Sequence, residues 1–104
     1  MSKPEFTLEV YDKLIEMMRS SNPEDFFMGI EIYKHHDKSH IIDMLMIKSF
    51  GGSKRADFIE AIGFDTIKYN RHIMLDEIKK TIDEYMLETE CKIFKRLEDE
   101  YNSY

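Results

Sequence analysis

The last third of the chain, from about Asn70 to Tyr101, most constrains the fold. Leu75, Ile78, Ile82, Met86, Ile93 and Leu97, with Thr89 among them, recur at a period of about 3.6 residues and form one continuous stripe. Two series within it, Leu75–Met86–Leu97 and Ile82–Ile93, step by eleven. That step is about 3.67 residues per turn, close to an undistorted helix. A strict heptad would instead place Thr89 and Arg96 in one seam position and Lys92 and Asp99 in the other. The stripe therefore reads as one long helix packing on a globular core, not as half of a coiled coil.

Upstream, helix boundaries are written in capping residues. Ser2 and Glu5 have capping-box spacing and Pro4 suits a first turn, so a first helix is expected from near Ser2–Pro4 to about Arg19. Its buried face would be Leu8, Tyr11, Leu14, Ile15 and Met18. Asn22-Pro23-Glu24-Asp25 supplies a cap, a proline at the first helical position and two acids against the positive helix end. The second helix then runs from Pro23 to about His35 and buries Phe26, Phe27, Ile30 and Tyr33. Gly29 costs roughly 1 kcal/mol inside it relative to Ala, which close approach of another helix would explain.

Asp37 or Ser39 can cap a third helix, His40 to Phe50, which is apolar nearly all round and so expected between neighbours. Gly51-Gly52 ends it, Ser53 can cap a short helix through Ile62, and Gly63 can close that one. Asp65 can start another turn, and Ile67, Tyr69 and Ile73 lie out of phase with the stripe, so a break is expected near Asn70. With four Gly and two Pro in 104 residues there is little punctuation, which favours long elements. The expected architecture is all-α: one compact helical domain over residues 1–104, of about five helices, ending in a long amphipathic one.

Residues 14–25, Leu-Ile-Glu-Met-Met-Arg-Ser-Ser-Asn-Pro-Glu-Asp, followed by Phe26 to Asp37 and a third helix, carry a resemblance. Over residues 8–50 the pattern resembles HEAT/armadillo-like helical repeats, where a Ser-x-(Asp/Asn)-Pro-Glu turn joins two antiparallel helices. No second copy follows at a fixed period, so the resemblance implies a helical-hairpin scaffold, whose usual use is binding other proteins, and not a solenoid. The richness in Ile, Lys, Asp, Glu, Met, Phe and Tyr resembles small accessory proteins of AT-rich tailed phages.

Charge sorts the function classes. The chain carries −6 net, 15 basic residues against 21 acidic. Residues 48–80 hold seven basic and five acidic side chains, whereas 1–47 hold five and nine, and 81–104 three and seven. Acidic ends argue against general affinity for nucleic acid or anionic membranes, though a local basic patch survives. Cys91 is the single cysteine, which precludes an intrachain disulfide and fits a reducing compartment. With apolar runs too short to span a bilayer, a soluble cytoplasmic protein is expected.

Chemistry is sparse. His36 and His40 are four apart, with His35 and Asp43 close by, but the Asp37-Lys38-Ser39 turn falls between them, so no metal site is assigned. Cys91 has no His or Asp arranged to serve it, and Gly51-Gly52-Ser53-Lys54 lacks the spacing and preceding strand of a phosphate loop. No catalytic residue and no cofactor is nominated. Phe58 to Arg71 resembles a helix-turn-helix DNA reader, which implies Lys54, Arg55, Lys68 and Arg71 as phosphate contacts. It departs from that pattern at Ile59, where a small residue is usual, and at His72, where an apolar one is.

Leu87, Phe94 and Tyr101 lie on a flank of the last helix, roughly 80° to 120° from Leu75 at about 100° per residue. They either widen the core locally or form an exposed patch for a partner or a second copy, and they are the residues nominated for partner binding. The function expected is a non-catalytic protein-interaction adaptor, self-association as a homodimer included. The alternative is a small DNA-binding regulator using residues 53–71.

Overall fold

The computed structural model describes residues 3–64, 71–85 and 87–103, the side chains of 71–75 and 101 excepted. Within them lie six helices: α1 (Leu8–Met18), α2 (Pro23–Lys34), α3 (His40–Ser49), α4 (Gly52–Ile62), α5 (Arg71–Tyr85) and α6 (Glu88–Asn102). No strand occurs among the described residues; the single β-bridge pairs Glu5 with Asp37. The all-α expectation holds, with six helices where about five were expected.

Helix α3 sits at the centre. Ile41, Ile42, Met44, Leu45, Met46, Ile47 and Lys48 are all buried, because α4, α5 and α6 each pack on it. Ser39 caps it, its Oγ accepting from the Ile42 amide at 3.4 Å. Helices α1 and α2 form the antiparallel hairpin outside this group, and α6 bridges α1 and α3.

The Asn22-Pro23 start of α2 is as read: Asn22 Oδ1 accepts from the Glu24 amide at 3.0 Å, with Pro23 at the first turn. Gly29 faces Met18 of α1. A Cβ built on it would lie 2.8 Å from Cγ of the fully buried Met18, inside any real contact distance. Gly63 closes α4 in the left-handed region, at φ 74°.

Ser53 does not cap α4, whose N-cap is Gly51 and whose first residue is Gly52, and three further sequence expectations are corrected. The first helix begins at Leu8, not near Ser2–Pro4, with Thr7 Oγ1 accepting from the Val10 amide. Pro4 to Phe6 is extended instead: the Asp37 amide donates to Pro4 O at 2.8 Å and the Phe6 amide to Asp37 O at 3.2 Å. That pairing seats Phe6, 4 % exposed, edge-on against Tyr33, so burial of one ring outweighs a local cap.

Second, the stripe does not belong to one helix. It is divided between α5 and α6, and Leu87 is the extended N-cap residue of α6, at φ −73° and ψ 110°. A straight helix over residues 70–101 would be about 48 Å long at roughly 1.5 Å per residue, and the longest axis of the molecule is 37 Å. Folding back lets both halves reach α3: Ile78 and Ile82 are buried from α5, Ile93 and Leu97 from α6. Leu75 and Met86, like the expected break near Asn70, lie outside the described residues or side chains. Third, Phe27 is exposed, not buried.

Asn22→Ala should lower stability by about 1 kcal/mol through the lost cap, read as a shift of the denaturation midpoint. Gly29→Ala sets a gain of roughly 1 kcal/mol in helix propensity against displacement of Met18 in a closed core, which costs about 1–3 kcal/mol. Net destabilisation is expected, relieved in part by Met18→Ala in the same chain. A plain gain in stability would mean that α1 and α2 are not this close.

Candidate functional site

Lys54 and Arg55, singled out by sequence, are spent on holding the fold. Lys54 Nζ donates to Met18 O and Ser20 O, both at 2.9 Å, and so closes the C-terminus of α1. Arg55 Nε donates to Ile47 O at 3.1 Å and closes α3 in the same way. A cation placed on the last carbonyls of a helix meets the negative end of its dipole. Two residues expected to face phosphates thus face backbone carbonyls of other helices. Lys68 and the side chain of Arg71 lie outside the described residues.

The histidines are separated. The His36 Nδ1–H donates to Ile32 O at 2.9 Å, while His40 stacks on Phe64 with centroids 5.0 Å apart and planes at 11°. Asp43 accepts a hydrogen bond from the Tyr33 hydroxyl, and Lys38 Nζ stands 4.2 Å over the Tyr33 ring. Burial, and then the Asp43 charge, push the Tyr33 phenol far above its ordinary range, so it stays a neutral donor. Burial lowers Lys38, with Asp43 opposing. Among the described residues, no group of three His, Cys, Asp or Glu is placed to hold a metal, and no helix is long and apolar enough to cross a membrane.

The flank nominated for a partner divides. Leu87 and Phe94 are half-buried and pack against the core, as does Cys91; the Tyr101 side chain lies outside those described. Three polar contacts among the described residues tie α6 to the rest of the fold. Arg19 forms a two-pronged pair with Glu100, at 2.9 and 3.2 Å, and Arg96 pairs with Asp12, both joining α6 to α1. Ser39 donates to Glu90 at 3.0 Å.

The surface that sequence missed is on α2. Phe27 and Met28 are 55 % and 57 % exposed, against 3 % for the adjacent Phe26. The Phe27 ring meets Phe26 edge-on, with centroids 5.5 Å apart, and Phe26 in turn rests on Phe50. Beside them, between α2 and α4, a groove of about 180 Å³ is walled by Pro23, Phe26 and Phe27 on one side and Ser53, Lys54 and Asp57 on the other. Helical spacing held a signal for this. Phe26, Ile30 and Tyr33 keep one face, and Phe27 and Met28 fall off it, with Glu24 and Glu31 one turn to either side. Phe26 and Phe27 are adjacent, and successive helical residues point about 100° apart, so the buried face that holds Phe26 leaves Phe27 outside. Tyr85, 68 % exposed, is the other large exposed apolar group among those described, at the far end of α5.

Because Phe94 packs on the core, Phe94→Asp should destabilise the fold by about 1–3 kcal/mol, since it forces an ionisable carboxyl against apolar neighbours. The measurement is a denaturation midpoint. An unchanged midpoint together with lost self-association would instead make the α6 flank an interface.

Compared with protein-family models, curated proteins and solved structures, the chain matches none of them.

Proposed function

We propose that this protein is a non-catalytic adaptor that acts by binding another protein, and that the α2–α4 surface around Phe27 and Met28 is where it binds. One observation carries the reading: two large apolar side chains, successive on α2, stand more than half exposed, and Phe27 lines a groove with one apolar wall. Scattered exposed apolar residues are ordinary, but adjacent ones at the lip of a groove are the form that recognition sites take. The α1–α2 hairpin that presents them is the segment resembling HEAT/armadillo-like scaffolds. The composition suits a phage accessory factor acting on a host or phage protein.

The DNA-regulator alternative is weakened by one specific observation, that Lys54 and Arg55 cap helices α1 and α3. Phosphate contacts make affinity fall steeply with salt. A salt-titrated binding assay with duplex DNA should therefore give no steep, saturable component for the wild-type protein.

The deciding experiment is capture from the native host's lysate by wild type and by Phe27→Ser/Met28→Ser. Proteins held by wild type should be lost by the variant, while the far-ultraviolet circular dichroism and melting curve stay unchanged. Identical capture by both would remove the α2–α4 surface from the proposal.

A further inference from the structure

We infer that the α2–α4 surface takes a basic amphipathic segment of a partner protein: one large apolar side chain in the groove, with Lys or Arg on either side of it. This rests on the adaptor reading above and adds the chemistry of the partner.

The first part of the inference comes from size. A groove of about 180 Å³ is small beside the roughly 300–1,000 Å³ of pockets that enclose small-molecule ligands. It suits a single anchoring side chain with the rest of the partner lying across Phe27 and Met28, as an amphipathic helix lies on an apolar strip.

Charge supplies the second part. Glu24 and Glu31, both exposed, lie three or four residues before and after Phe27 and Met28, so carboxylates stand one helical turn to each side of the apolar pair. Asp57, also exposed, stands on the opposite wall of the groove. Lys54, in that wall, donates to the carbonyls of Met18 and Ser20 and keeps its positive charge beside the groove. Lys34, 3.8 Å from Glu31, offsets part of the carboxylate charge, so three carboxylates face two cations and the rim stays acidic. An apolar centre rimmed by carboxylates attracts a cationic partner and speeds its approach.

The same arrangement disfavours a second copy of this chain. A two-fold interface would bring together two patches, each with more carboxylates than cations, on molecules already at −6, which opposes self-association. The occupant is therefore a different protein.

The probe is a fluorescent synthetic helix of Leu and Lys with its leucines on one face, compared with the isomer in which Glu replaces Lys. Fluorescence anisotropy at about 0.15 M salt should show saturable binding of the Lys peptide and none of the Glu peptide. Phe27→Ser/Met28→Ser should weaken the Lys peptide at least about tenfold, and Glu24→Gln/Asp57→Asn by about three- to tenfold. A variant matched in charge but remote, Asp83→Asn/Glu84→Gln on α5, should stay within about twofold, because exposed charges beyond a Debye length of roughly 8 Å are screened. All four α2, α4 and α5 positions changed for charge are exposed, so melting curves should match wild type.

The inference is overturned if the Glu peptide binds equally, if the remote variant weakens binding as much as the local one, or if the Phe27/Met28 variant binds unchanged. Sedimentation showing a wild-type dimer that Phe27→Ser/Met28→Ser dissociates would also overturn it, by making a second copy the occupant. Should the peptides fail while lysate capture still depends on Phe27 and Met28, the partner chemistry is wrong and the adaptor reading stands. Failure of both removes the site.

Discussion

Burial of α3 on nearly every side is the constraint from which the rest of the arrangement follows. Six of its apolar side chains are 9 % exposed or less, and each is worth about 1.5–3 kcal/mol when taken from water. No single neighbour can cover a helix all round. The chain must therefore bring α4, α5 and α6 to it at once. The fold-back between α5 and α6 answers that demand: one straight helix would run past α3, whereas two shorter ones lay Ile78 and Ile82, then Ile93 and Leu97, into the same core.

A line of rings ties this core to the outer hairpin. Phe6 meets Tyr33, Tyr33 meets Phe58, Phe58 meets Phe50, and Phe50 meets Phe26, with centroids between 5.1 and 5.9 Å apart. The N-terminal strap, α2, α4 and the end of α3 thus share one aromatic seam. Cations complete it from outside: Lys54 and Arg55, adjacent on α4, reach back to the C-termini of α1 and α3. Backbone carbonyls at helix ends need partners, and here they find them on another helix. Phe27 is the outer end of the seam, held edge-on by Phe26. A partner's side chain in the adjoining groove would meet a ring that is already oriented, which lowers the ordering cost of binding.

This accounts for why the acidic and apolar groups of α2 could do different work. Its inner face, Phe26, Gly29, Ile30 and Tyr33, is committed to α1 and the seam, down to the missing side chain at Gly29 that admits Met18. The outer face, with Glu24, Phe27, Met28 and Glu31, carries no such packing duty. An apolar pair retained there against the hydrophobic effect is the proposed site.

Sequence alone determined the starts of α2 and α3 and the stop of α4. Asn22-Pro23, Ser39 and Gly63 act through groups within four residues of themselves, so their effect is visible without a fold, and the all-round apolar character of residues 40–49 announced a central helix. Tertiary structure decided everything that involves a distant partner. Ser2 and Pro4 offered a helix start, but Phe6 and Asp37 drew that segment into an extended strap. Residues 70–101 hold no Gly or Pro, so nothing local marks the turn at Leu87; the reach of α3 imposes it. Lys54 and Arg55 looked like surface charge because the carbonyls they serve lie 36, 34 and 8 residues away. Phe27 looked like core because hydrophobicity is read residue by residue, whereas burial depends on which face another helix covers. Local capping energies are short-ranged and legible; the choice of neighbour is set by packing the whole chain around α3.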